Sequence, residues 1–541
     1  MLEFCGHSKL PVLVEGSSVL LECKKRSVPD LHRFARDFGV DAGNGGGIAN
    51  RKGLGQNFCV FYAREGGLPV GLIIGIYILA ILVIVFYLGR RVQSSDDFFL
   101  AGRKLNWLVA GGSIVATAVG GAVVIGHPGA FYTYGLAWYF VPLGGMIASL
   151  FMAFFVVERV RALNQHTVPD LLALRYDDKA RTAAAILIII ADIAIICTQI
   201  MAFAGILAGF LGVSPNAAAL MGAVLFVVTA LGGGLMGIAF TDAIQGLLIS
   251  VGLVVIALLV IGSGGGITAI SAQLPAEFFQ PFAAMPAHLV LGNVLSVVGI
   301  TLASQSTVFQ RINAVKSPQE AKKAGFLTAA GMFILTGLII PVIGYSARVI
   351  LGPGVELDNV AGALISAVLP DWAGALFIAV VVGAILTTTN SILLSTSMNV
   401  IKDLYEGALQ KSVTDRARLN GGRLTVVIIG TAAFLMTLTM PTIIDAIIFA
   451  YTMTAILIVP IYIGLFWRRP GASGGMLSIL LGGMATLIWQ FVLRQPWGIH
   501  AVIPGLVFAL VGLALGCLSE PLSAARWQII SPDKNKANLK A

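Results

Sequence analysis

The chain has 541 residues, 57% of them hydrophobic and 11% charged, with mean hydropathy +0.91. Soluble domains carry about 25% charged residues, so the polar surface needed to wrap a soluble core of this size is missing and the chain reads as a multi-span membrane protein. The net charge of +9 comes from basic residues in short loops between apolar runs, which argues against nucleic-acid binding, while 63 Gly and 21 Pro point to closely packed, locally interrupted helices.

Residues 1–67 stand apart. They hold nine basic and seven acidic residues, three of the five cysteines (Cys5, Cys23, Cys59) and a glycine cluster at Gly43, Gly45, Gly46 and Gly47. No signal-peptide pattern is present. Two readings stay open: a poorly ordered extension, or residues ahead of a true start near Leu68 or Val70. The second is preferred, and N-terminal sequencing decides between them. Cys197 and Cys517 sit singly in apolar runs as small fillers, and with no CxxC pair neither a thiol-bound metal nor a redox site is indicated.

Thirteen apolar segments follow, at roughly 68–89, 107–127, 135–157, 183–211, 216–235, 242–262, 290–312, 326–347, 371–398, 421–440, 443–467, 474–493 and 501–518. Each is close to the roughly 20 residues that cross about 30 Å of hydrocarbon. The divisions 216–235/242–262 and 421–440/443–467 are the weakest. If segment 68–89 runs from outside to inside, 24 basic residues fall on the inner side, from Arg90 and Arg91 through Arg311 to Lys540, and only Arg348 and Arg494 fall outside. This asymmetry sets the N-terminus outside and the C-terminus in the cytoplasm.

Several motifs occur in order along these segments. Gly102-Arg103-Lys104 precedes Ala116–Gly121 and Gly126-His127-Pro128-Gly129. Thr167-Val168-Pro169-Asp170 and Arg175-Tyr176 follow, then Gly233-Gly234-Leu235 with Thr241-Asp242 and Gln245. Next come Gln310-Arg311, Glu320-Ala321-Lys322-Lys323, Ala384-Ile385-Leu386-Thr387-Thr388 and Asn390-Ser391, and finally Lys402-Asp403-Leu404-Tyr405. In this order and spacing the chain resembles the sodium:solute symporter family, which includes proline, pantothenate and sugar symporters, over roughly residues 68–518. The resemblance implies an all-α integral membrane fold of about 13 helices, with a ten-helix core of two inverted repeats. Its parts here would be a peripheral first helix and inner loop (68–106), core repeat 1 (107–262), an outer loop (263–289), core repeat 2 (290–467), peripheral helices (468–518) and a cytoplasmic tail (519–541).

Sodium is a hard cation that takes five or six oxygens, and a helix releases carbonyls only where its hydrogen-bond ladder breaks. Paired glycines at Gly120 and Gly121 permit such a break, and Thr387 and Thr388 place two hydroxyls deep in 371–398. The resemblance implies a sodium site from the carbonyls of Ala116, Val119 and Ala384 and the hydroxyls of Thr387 and Thr388. The bland alternative has the threonines bonding back to their own helix and the glycines serving as a packing face. Proline symporters carry Asp and Ser where this chain has Ala118 and Gly120, and sugar symporters carry Gln where it has Val123. That wall is therefore apolar or lined by backbone, which disfavours prolines and sugars and weakly favours a small organic anion at the helix-end dipoles and free amides near Gly120.

Asp192 is costly at mid-membrane and should face the bundle or water. Gln199, seven residues on, shares its face. Asp242 is read either as part of an ion pathway or as a helix cap with Thr241. Asn293 and Gln305 are further candidates for the cavity. His127 precedes Pro128, which biases it towards an extended conformation, and it is either a gate residue or a packing or turn residue. The stretch 158–182 reads as an interfacial helix near Val168–Leu174 with a Thr167/Asp170 capping box, ringed by Arg159, Arg161, Arg175 and Arg181, which could meet anionic headgroups; fixing the inner end of the bundle is the preferred role over binding anything specific.

No GxxxxGK[ST] or ligand-spaced histidine set is present, so the chain is expected not to be an enzyme. The expected function is sodium-coupled symport of a small organic solute by alternating access in a bacterial plasma membrane. Na+ is the coupling ion, the lipid bilayer and a small-molecule substrate are the partners, and no nucleic acid or obligatory protein partner is indicated. The alternative is an uncoupled or proton-coupled facilitator or channel of the same fold.

Overall fold

The computed structural model describes residues 9–14, 17–22, 67–90, 92–211, 213–304, 306–408, 413–440 and 443–519. Two strands, β1 (Lys9–Val14) and β2 (Ser17–Glu22), pair as an antiparallel hairpin. The hairpin precedes the helical body, which is all-α as expected. The remainder of 1–66, and with it the question of an extension, lies outside the described residues.

From residue 67 onward the described elements are helices. In chain order they include α1 (Gly67–Gly89), α2 (Trp107–Ala118), α3 (Gly121–Tyr134), α4 (Leu136–Leu163), the short α5 (Val168–Arg175), α6 (Asp178–Leu211) and α7 (Pro215–Ser263). They continue with α8 (Ala287–Ala314), α9 (Pro318–Leu351), α10 (Asp371–Asn399), α11 (Asp415–Thr437), α12 (Ile443–Ala455), α13 (Ala472–Val492) and α14 (Val502–Ser519). Among the described residues nine helices are long and apolar enough to cross a membrane, or ten if the bent pair α2/α3 is one span.

Helix α10 is the axis of the bundle. Residues 377–399 of it are buried throughout, as expected of a helix that meets other helices all round. Its polar run carries hydroxyls that bond back to the preceding turn: Thr389 Oγ1 donates to Ile385 O (2.7 Å) and Ser395 Oγ to Ile392 O (3.2 Å). Because each hydroxyl is satisfied locally, the run can sit in the core and still offer lone pairs to its neighbours.

The expected spans 216–235 and 242–262 form one element, α7, interrupted at Gly234 (φ 52°, ψ −169°). Only glycine adopts that backbone readily, and a Cβ there would lie 3.1 Å from Phe98 Cα and from its carbonyl oxygen. Gly234→Ala should therefore lower the melting temperature of the purified chain, at a cost of about 1–3 kcal/mol. An unchanged thermal transition would show that the break relaxes freely.

Two arginines assigned to inner loops are not loop residues. Arg311 lies within α8 and is fully buried, and Arg175 is 2% exposed. Arg175 donates through Nε to Gly464 O (2.7 Å), and Arg181 pairs with Asp170 (2.5 Å) and Asp403 (2.9 Å). These two guanidiniums join helix ends to one another instead of facing headgroups, because desolvated cations need protein acceptors. The capping box is also displaced by one residue: Thr167 Oγ1 accepts the Asp170 amide (3.0 Å), but Asp170 Oδ2 accepts the amide of His166 (3.3 Å).

Candidate ion and solute site

Helix α2 starts at the Asn106 cap, whose Oδ1 accepts the Val109 amide (2.8 Å), and ends at Ala118. Val119 leaves the helix (φ −91°, ψ 58°), Gly120 is extended (φ −75°, ψ −179°), and α3 restarts at Gly121 with its axis turned by 52°. The break frees backbone groups that the threonines of α10 then meet. Thr387 Oγ1 donates to Ala116 O (3.0 Å) and Thr388 Oγ1 to Thr117 O (2.8 Å), and both lie 3.0 Å from Ala384 O. The Gly121 amide is taken by Gln199 Oε1 at 3.2 Å.

Close approach requires the glycines. A Cβ on Gly120 would stand 2.3 Å from Thr388 Oγ1, and one on Gly121 would stand 2.5 Å from Ile385 Cγ1. The structure thus brings Ala116, Ala384, Thr387 and Thr388 into one oxygen-rich contact, with Val119 in the break beside it. The threonines do bond back to Ala384, as the bland reading has it, and they also reach across to α2. All the donors are oxygens, the set a hard monovalent cation takes. Among the described residues no group of three or more His, Cys, Asp or Glu side chains gathers as a metal site.

Directly beside this contact lies a buried network. Arg311 Nη2 is 2.8 Å from Asp242 Oδ2, which also accepts from Ser113 Oγ and Ser391 Oγ, each at 2.9 Å. Arg311 Nε donates to Ser113 Oγ (2.5 Å), its Nη2 bonds Ser391, and Thr117 Oγ1 reaches Ser391 Oγ at 3.2 Å. Asp242 is therefore not a helix cap. It is 1% exposed and pairs with a fully buried arginine, so α2, α7, α8 and α10 converge on one ion pair. Sequence reasoning missed Ser113, Thr117, Ser391 and Arg311 as its partners. The available signal was Asp242 and Arg311, opposite charges at the edges of two apolar runs.

Asp192 and Gln199 share a face as expected. Both line a pocket of about 60 Å³ with Gly120, Val123 and Thr388. Asp192 Oδ2 accepts from Thr396 Oγ1 at 2.7 Å, so it bonds between helices and lines a cavity at once. No basic side chain pairs with it among the described residues. Above the break opens a chamber of about 310 Å³, which shares Ala122, Val123, Ile447 and Tyr451 with the smaller pocket. Gly121, Asn293 and His127 line it. Gln305 lies outside the described residues. His127 is helical, not extended: Pro128 sits inside α3, where packing against Gly344, whose Cβ would lie 2.7 Å from Pro128 O, outweighs the local bias.

The sodium:solute symporter family model matches residues 98–482. The osmoregulated proline transporter OpuE of Bacillus subtilis is 24% identical over 484 residues, covering 84% of this chain and 96% of its own length. The sodium/pantothenate symporter of Escherichia coli is 24% identical over 464 residues, covering 81% and 95%. Among solved structures, a Na+-coupled sialic acid symporter in a substrate-bound outward-open state superposes with TM-score 0.74 at 20% identity, covering 84% of this chain and 99% of that one. The nucleobase-cation-symport-1 family transporter Mhp1 superposes with TM-score 0.53 at 13% identity, covering 82% and 98%. Both likenesses are of fold. The chain is a secondary transporter that couples an ion gradient to small-solute symport by alternating access, not an enzyme, and it belongs to the sodium:solute symporter family.

Proposed function

We propose that the coupling ion is sodium, held between the break after Ala118 and the threonines of α10, and that the solute is a small organic molecule, with a small organic anion favoured. The observation that carries this reading is the convergence of Ala116, Ala384, Thr387 and Thr388. Carbonyls released from a helix ladder and hydroxyls from a facing helix make an all-oxygen cradle that needs no charged ligand. The curated relatives named as sodium symporters support the choice of ion.

In this reading sodium ties α2 to α10 and favours one orientation of the bundle. The solute then enters the adjoining chamber near Gly120, Gly121 and Val123, and the core rocks to release both. Asp192 and Gln199 line the passage, and Asp242 with Arg311 holds the helices that must separate. Thirteen spans would follow if the bent pair α2/α3 is taken as one, the two shorter apolar helices (Gly75–Gly89 and Phe449–Ile463) are added to the nine long ones, and α7 is divided at Gly234. The core would then be two inverted repeats, 107–262 and 290–467, with an outside N-terminus in a bacterial plasma membrane. The test is uptake into proteoliposomes of acetate, pyruvate, proline, pantothenate, glucose and urea, with an inward sodium or potassium gradient. Accumulation of one solute with sodium alone is the expected result. Equal uptake with potassium, or uptake that follows a proton gradient, would replace sodium coupling.

A further inference from the structure

The chamber above the break is lined by no Asp, Glu, Lys or Arg among the described residues. Its polar equipment is neutral, and part of it is without a protein partner: Trp138 Nε1, His127 Nδ1 and His500 Nε2 are buried atoms that meet no hydrogen-bonding group. Indole nitrogen is a donor only. The state of His500 follows from its own contacts. Its Nδ1 accepts the Val502 amide at 3.3 Å, so in the neutral ring the proton is on Nε2, and burial pushes the imidazole down to about 4. Near neutral pH the ring therefore carries an N–H and no charge, and His500 is among the residues that line the chamber.

His500 does not come from the central helices. It lies between α13 and α14, in a segment pinned by Trp489 Nε1 donating to Ile499 O (2.9 Å) and wound through left-handed backbone at Arg494, Gln495 and Trp497 (φ 54°, 53° and 57°). Non-glycine residues hold such a conformation only where the surroundings enforce it. The ring is seated against α8 at Gly292, where a Cβ would fall 2.3 Å from His500 Cβ and 2.7 Å from Cγ. Both the strained turn and the missing side chain serve to place one 4%-exposed imidazole in the chamber wall.

We propose that the chamber recognises its solute through neutral N–H donors, that it takes small solutes bearing oxygen acceptors and no net positive charge, and that His500 is a specificity-determining contact supplied from outside the core repeats. An unpaired buried donor is costly until an acceptor reaches it, so a solute oxygen at Nε2 or at Trp138 Nε1 removes a penalty already built into the protein. A cationic solute without an acceptor oxygen gains nothing from these N–H groups. This rests on the reading of the chamber as the solute site.

The test uses the full chain purified in detergent. Shifts in melting temperature are titrated with acetate, pyruvate, lactate, proline, glucose and choline, in sodium and separately in potassium. At least one acceptor-bearing probe should stabilise the wild type and choline should not. His500→Ala should weaken that probe's apparent affinity about 3- to 10-fold and His500→Gln, whose amide nitrogen replaces Nε2, should restore it. Trp138→Phe, which keeps the ring and loses the donor, gives a second reading if His500→Ala does not fold. Wild-type affinity in both His500→Ala and Trp138→Phe, stabilisation by choline, or no shift with any acceptor-bearing probe would each overturn the proposal. Loss of the difference between sodium and potassium, with solute binding intact, counts against the sodium site and not against His500.

Discussion

Replacing Thr387 and Thr388 together by valine is expected to raise the sodium concentration for half-maximal uptake by at least tenfold while the chain still inserts and folds. Valine keeps the shape of threonine and puts a methyl group where the hydroxyl was. A hydrogen bond or ligand contact to a charged group is worth about 1.5–3 kcal/mol, and each 1.4 kcal/mol is about a factor of ten. The hydroxyls also satisfy the carbonyls of Ala116 and Thr117 (3.0 and 2.8 Å), so a fall in melting temperature accompanies the change. Thr387→Ser and Thr388→Ser, which keep the oxygens, should retain wild-type sodium activation. If the threonines only satisfy their own helix through Ala384, the valine variant will lose stability with its sodium activation curve unmoved, and the site falls.

The second large effect concerns the ion pair between α7 and α8. Asp242→Asn or Arg311→Met alone leaves its buried partner uncompensated, at a cost of about 3–5 kcal/mol. Each is expected to lower the yield of monodisperse protein in size-exclusion chromatography and to abolish uptake. The double variant Asp242→Leu with Arg311→Met removes both charges and should recover the yield, because a well-packed apolar pair is often as stable as a buried ion pair. Uptake should not recover, since Ser113, Thr117 and Ser391 lose the charges that align them beside the ion cradle. Full transport in the double variant would reduce the pair to a packing element.

Much of the cradle could be read from residue order. Gly120-Gly121 in an apolar run predicts a break because two residues without side chains both loosen the helix and admit a neighbour. The Thr387-Thr388 pair is visible through its place in the ordered motif Ala384-Ile385-Leu386-Thr387-Thr388, since hydroxyls alone are common in this helix. Asp192 and Gln199 are legible as a stripe because seven residues make two helical turns. His500, by contrast, carries no local signal: it is one histidine in a short polar loop, and its meaning depends on a glycine more than two hundred residues earlier. Arg175 and Arg181 fix the inner end of the bundle, the preferred of their two readings, but the partners they use to do so were not legible for a related reason. A basic residue at the edge of an apolar run looks the same whether it faces water or a carboxylate from another helix.

Composition and hydropathy period by themselves determined that the chain is a helical membrane protein, and motif order placed it beside the sodium:solute symporters. These are local properties, set by the cost of exposing backbone and charge to hydrocarbon. Only the tertiary structure decided which groups face one another: that Arg311 neutralises Asp242, that Thr388 closes on a glycine, and that a peripheral loop reaches the chamber. Such pairings join helices distant in sequence, and their energy exists only once the helices have packed.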